Sequence, residues 1–186
     1  GGGGDKGKGV GLWAAYLKAL DDAPIRTKMI TSALLNLLGD LISQVFVEKN
    51  AAIDAKRAAI FTILGGFLVG PALHYWYGAL GKIVTATGTK GAAMRLALDQ
   101  LVFAPGFIVA FFASLLTLNG APQDIVPKLK QDWWTSVTVN WKIWVPFQFL
   151  NFRLVPPNLQ VAAANIIALV WNTYLSWAGN RGVEAK

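Results

Sequence analysis

Apolar runs about one membrane thickness long alternate with short charged or glycine-containing breaks, and the first run carries the most informative polar positions. Within residues 31–47, TSALLNLLGDLISQVFV, Ser32, Asn36, Asp40 and Gln44 recur every four residues. On a helix that spacing stacks them into one inclined polar stripe. An ionised carboxylate at mid-bilayer costs roughly 2.5–3.5 kcal/mol, so such side chains turn toward protein or water rather than lipid. Two readings follow: the stripe hydrogen-bonds to neighbouring helices, or it lines an aqueous passage.

The remaining pattern predicts an all-α, integral membrane bundle. Residues 1–11, opening GGGGDKGKG, read as a disordered Gly-rich tail, and residues 12–180 as a single transmembrane domain. Leu12, Trp13, Tyr16, Leu17 and Leu20 fall on one helical face, which predicts a short amphipathic helix at the membrane surface before Pro24. Four spans are expected, near residues 28–47, 57–80, 92–118 and 160–178. The second contains a small-residue lane with Gly66 and Gly70, the spacing that lets helix backbones approach closely, and a kink is expected at Pro71. A second kink is expected at Pro105-Gly106, and Arg95 and Asp99 are spaced to form an ion pair on one face, with a charged vestibule as the alternative. Residues 132–154 hold Asn140, Lys142, Gln148 and Arg153 around Pro146. They predict an amphipathic or re-entrant helix lying along or partly entering the bilayer, with a fifth span as the alternative. Pro156-Pro157 should end it. The last span carries Asn165, Asn172 and Ser176 on one face.

Composition narrows the class further. Apolar residues make up 54% of 186, and the excess is concentrated in these runs. The net charge of +7 falls mostly at span ends and in loops, where anionic headgroups are the natural partner, so nucleic acid is not expected. With no cysteine and His74 as the sole histidine, thiolate and zinc-type metal sites lack their ligands. His74 reads as a hydrogen-bonding group inside the bundle or as a pH-sensitive pore residue. No phosphate-binding glycine loop, nucleophile elbow or triad is legible, so neither an enzyme nor a cofactor is expected.

The residues carry a resemblance that extends from Leu12 to Trp177. Leu12-Trp13, Pro24, Gly39-Asp40 with Gln44, Gly70-Pro71, Trp76-Tyr77 and Asp99-Gln100 occur in order. The block NWKIWVPFQFLNFRLVPP at 140–157 follows, and then Trp171-Asn172 and Tyr174-Leu175-Ser176. Together they are similar to the 22-kilodalton peroxisomal membrane protein family, which includes the Mpv-seventeen proteins of mitochondria and plant plastid relatives. Two positions depart from the family pattern: Val145 stands where many members have proline, and Gln160 where many have arginine.

The resemblance implies a small four-span organellar protein that acts as a channel or carrier for small solutes. Asn36, Asp40, Gln44, His74, Asn140, Gln148, Asn165 and Asn172 are then the candidate pore-lining or bundle-interior residues. The alternative is a structural subunit, or a lipid- or pigment-binding scaffold, within a larger membrane complex. Expected partners are membrane lipids, with protein partners limited to further copies of the chain or subunits of such a complex. A glycine start fits a chain trimmed of an organellar presequence, and the ending VEAK is neither a peroxisomal nor an ER-retention signal. A chloroplast or mitochondrial inner membrane is therefore expected ahead of the peroxisome.

Overall fold

The computed structural model describes residues 6–155 and 160–183, and gives the backbone alone for residues 6–10, 152 and 160–162. Residues 1–5 of the expected tail and the Pro156-Pro157 stop lie outside the described residues, as does the side chain of Gln160. Among the described residues there are six long helices and no strand. They are α1 (Lys6–Asp22), α2 (Pro24–Val47), α3 (Ala55–Ile83), α4 (Gly88–Leu118), α5 (Ile125–Leu154) and α6 (Gln160–Asn180). The first starts at Lys6, ahead of the Leu12 read from the sequence. By length and composition, α2, α3 and α4 can each cross a membrane.

Pairwise packing runs α2–α3–α4–α5–α6 and returns from α6 to α2, so five helices close into a ring. Neighbours from α2 to α6 alternate in direction, while α6 runs parallel to α2. The contacts fix this register: Phe61 meets Phe111 on α4, and Gln100 on α4 meets Asn140 on α5. Lys128 on α5 reaches the Arg181 carbonyl just past α6. α5 is one 30-residue helix packed lengthwise between α4 and α6, beginning before residue 132 and continuing through Pro146. α1 leans on α2 and reaches α6 through Tyr16, whose hydroxyl accepts from Asn165 Nδ2 at 3.2 Å.

Small residues permit the tightest crossings. A Cβ on Gly39 would sit 2.6 Å from Asn172 Cβ, and one on Gly65 would sit 2.8 Å from Asn36 Cβ. On Gly70 it would lie 2.8 Å from Met29 Cα, whereas on Gly66 the nearest atom is Ala33 Cβ at 3.5 Å. The Gly66–Gly70 lane therefore packs within the chain, with Gly65 rather than Gly66 as the tighter partner.

The expected proline kinks take the form of π-helical turns. Residues 65–69 and 99–103 are π-helical, immediately before Gly70-Pro71 and Ala104-Pro105. A proline lacks an N–H and crowds the carbonyl four residues back. Those carbonyls, of Phe67 and Leu101, fall inside the π turns, whose wider spacing accommodates them. A third π turn, Ser43–Val47, ends α2.

The two ends of the ring differ. Where α2, α4 and α6 finish and α3 and α5 begin, Phe61, Phe111, Phe112, Leu115 and Leu175 pack into a fully buried apolar core. At the opposite end the helices part around a cavity.

Candidate functional site

At the closed end, the stripe on α2 meets a cation from α3. Arg57 Nε donates to Asp40 Oδ1 at 2.7 Å, while its terminal nitrogens reach Glu48 at 2.6 and 2.7 Å and Ser176 Oγ at 2.7 Å. Ser176 donates to the same Asp40 oxygen at 2.5 Å, and Gln44 Nε2 donates to the other at 2.7 Å. Gln44 also exchanges hydrogen bonds with the backbone of Asp54, whose carboxylate caps α3 by accepting from the Arg57 N–H. This knot joins α2, α3 and α6 and leaves Asp40 fully buried. Glu48, in the loop after α2, is held below the usual carboxylate range by its hydrogen bond from Arg57, against the opposing pull of partial burial. Nearby, Lys128 and Arg181 both bind Asp132, and Arg181 lies over the Trp177 ring.

The other half of the ring encloses a cavity of about 710 Å³, lined by all six helices. That volume falls within the range of small-molecule sites, roughly 300–1,000 Å³. Its polar wall is a relay that crosses three helices. Asp99, at the start of the second proline-linked π turn, accepts from Trp76 Nε1 and Gln100 Nε2, each at 2.8 Å. Asn140 donates to Gln100 Oε1 at 2.8 Å, and Gln148 donates to the Tyr77 hydroxyl at 2.9 Å. Asn36 Oδ1, also at the wall, is buried with no hydrogen-bond partner among the described residues. An acceptor in that position suits a donor brought by water or solute. The apolar wall is an aromatic ladder in which Trp76, Phe103 and Phe107 stack in sequence and lead down to Phe111 in the closed core.

The sequence-derived residues therefore divide into two groups. Asn36, Asn140, Gln148, Asn165 and Asn172 line the cavity, as do Tyr77 and Gln100. Asp40 and Gln44 belong to the ionic knot, outside the cavity. His74 stands behind the wall, its Nδ1 3.4 Å from Lys28 Nζ. Arg95 and Asp99 both border the cavity without pairing: Arg95 donates to the backbone carbonyl of Val84 at 2.9 Å, and Asp99 is occupied by Trp76 and Gln100. The helical register between them is intact, with the Asp99 N–H bonded to the Arg95 carbonyl, but each side chain is taken by other partners, so the i, i+4 spacing does not produce a pair. Arg57 escaped the sequence reading because its partners lie 9, 17 and 119 residues away. Its position at a span edge was the only signal.

An apolar-sided helical ring around a part-polar cavity defines a polytopic membrane protein with an internal solute-sized chamber. The family model described as Mpv17 / PMP22 family matches residues 116–176. Across 92% of its length the chain is 39% identical to the mitochondrial inner membrane protein Mpv17 of Danio rerio, covering 99% of that protein. It is 35% identical to the human protein of the same name, with the same two coverages. Protein SYM1 of Gibberella zeae is 35% identical, over 89% of this chain and 96% of its own. The chain belongs to the Mpv17 / PMP22 family. No solved structure matches it.

Proposed function

We propose that this protein passes small solutes across an organellar membrane, as a channel or carrier-like protein, by way of the chamber inside its helical ring. The observation that carries this reading is the chamber itself: about 710 Å³ with Asn, Gln and Tyr groups on its wall, inside a bundle whose outer surface exposes Phe46, Phe67, Leu101 and Ile166. Asn36 Oδ1 lies at that wall without a hydrogen-bond partner among the described residues, and such a buried acceptor is costly unless something polar occupies the space. In the conformation described, the Phe61–Phe111–Phe112 core closes the far end. Transit therefore requires that core to part, which is carrier-like behaviour.

The mitochondrial names of the relatives favour the mitochondrial inner membrane over the plastid and peroxisomal alternatives. We further read α6 as a span, since its 21 residues include no charge and reach about 31 Å. Because α4 and α6 run the same way, α5 must cross as well, giving five crossings.

The test uses purified protein in liposomes, with release of a small trapped solute as the readout. Ala168→Trp would fill the chamber from α6, while Ala110→Trp adds the same bulk on an exposed face of α4. Release should fall at least several-fold with the first and stay at the parent level with the second. Equal release from all three, with matching elution on sizing, would overturn the reading.

A further inference from the structure

The open end of the ring carries many basic residues, but they do not all face the same way. Lys18, Arg26, Lys82 and Lys90 are exposed and away from the chamber, where headgroups would meet them. Lys28 from α2, Arg95 from α4 and Arg153 from α5 border the chamber instead. Lys28 and Arg95 are half-buried, and among the described residues no carboxylate lies within ion-pairing distance of any of the three. Arg95 is held in place by the Val84 carbonyl. Lys28 Nζ lies 3.4 Å from His74 Nδ1.

Among the described residues the chamber is lined by one acidic residue, Asp99, and both its oxygens already accept hydrogen bonds. Three cations against one occupied carboxylate leave the mouth positive. Low-dielectric walls focus such a field, and Arg or Lys groups lining a passage select anions. Below the mouth, Phe103, Phe107, Trp144 and Trp171 offer flat apolar surface. An inorganic ion alone would leave the chamber faces of those rings uncovered.

We infer that the chamber binds a small organic anion, a carboxylate or phosphate ester with an apolar or aromatic body, its charged group at Lys28, Arg95 and Arg153 and its body against the aromatic wall. The site is the chamber of the proposed passage, and the inference names what that chamber holds. Guanidinium groups suit the charged end because their paired N–H donors match carboxylate and phosphate oxygens. The occupant is a free solute rather than a lipid, because a chamber of this volume has no room for two acyl chains.

The test is calorimetric titration of the full chain in an uncharged detergent with 4-nitrophenyl phosphate and with the neutral 4-nitrobenzyl alcohol. The ester should bind one per chain, at least tenfold more tightly than the alcohol. Lys28→Gln and Arg153→Gln should each weaken the ester several-fold and leave the alcohol unchanged, while Lys82→Gln should change neither. Arg95→Gln should do the same as the first two, but Arg95 also holds backbone, so the other two variants decide if it misfolds. Equal binding of ester and alcohol, or equal weakening by Lys82→Gln, would overturn the inference. Loss of ester binding in phosphatidylglycerol nanodiscs but not phosphatidylcholine ones would overturn it too, since the cations would then be headgroup seats. Ester binding without solute release from liposomes leaves this site standing and removes the passage; release without ester binding does the reverse.

Discussion

Asp40 Oδ1 and Arg57 Nε lie 2.7 Å apart with the carboxylate wholly out of solvent, and this contact takes the most membrane-averse side chain of α2 out of the chamber. Removing one partner of a buried ion pair strands the other charge, at a cost of about 3–5 kcal/mol. Asp40→Asn and Arg57→Gln should therefore each lower the thermal midpoint in detergent substantially. The double variant Asp40→Asn/Arg57→Gln should lose less than the sum of the two single changes, because the fully buried carboxylate is gone and the Glu48 that loses Arg57 is partly exposed. Protein that survives folding should release solute normally. An additive double variant would show that the pair is not coupled.

Gly65 and Gly66 stand side by side but should behave differently. Alanine at Gly65 drives its methyl into the Ser32 carbonyl and to 2.8 Å from Asn36 Cβ, where backbone cannot yield cheaply. Overpacking of that kind costs roughly 1–3 kcal/mol. Alanine at Gly66 meets only ordinary contact at 3.5 Å and should change stability by no more than about 0.5 kcal/mol. Melting curves of the two variants decide the matter, and equal midpoints would contradict the α2–α3 packing.

Glu48 makes the closed end acid-sensitive. Its folded pKa lies below the ordinary glutamate value because Arg57 hydrogen-bonds the charged form. A depressed carboxylate contributes stability that is present above its unfolded pKa, about 4.3, and is lost as pH falls through the folded one. Partial exposure limits the size of the effect. Midpoints for the parent should fall more steeply than those for Glu48→Gln below about pH 4.3. Parallel curves would remove Glu48 from the account.

Phe111 touches Phe61, Phe107 and Phe112 and sits at the centre of the closed floor. Phe111→Ala should cost roughly 3–5 kcal/mol of stability and raise solute release above that of the parent. Lower stability with unchanged release would mean that the route does not pass this core.

Much of the architecture is legible in the sequence because membrane burial leaves a coarse mark. The apolar runs place α2, α3 and α4 to within a few residues, and Asn140 and Gln148 lie on the chamber side of α5. Three features left no local trace. The depth of α5 in the ring depends on polar partners such as Gln100 and Tyr77, contributed by other helices. Arg95 turns to the Val84 carbonyl and Asp99 to Trp76 and Gln100, so the pair that their spacing suggests does not form. Arg57 and Ser176, which take Asp40 out of the chamber, come from helices far away along the chain.

The parallel course of α2 and α6 reaches beyond the chamber. On the proposed reading of five crossings, a bundle entered and left in the same direction would open to a different compartment at each end of the chain. A fluorescent or protease-cleavable reporter on the amino end should face one aqueous phase, and the same reporter on the carboxyl end should face the other. Any partner that reads both ends at once would have to work from both sides of the membrane.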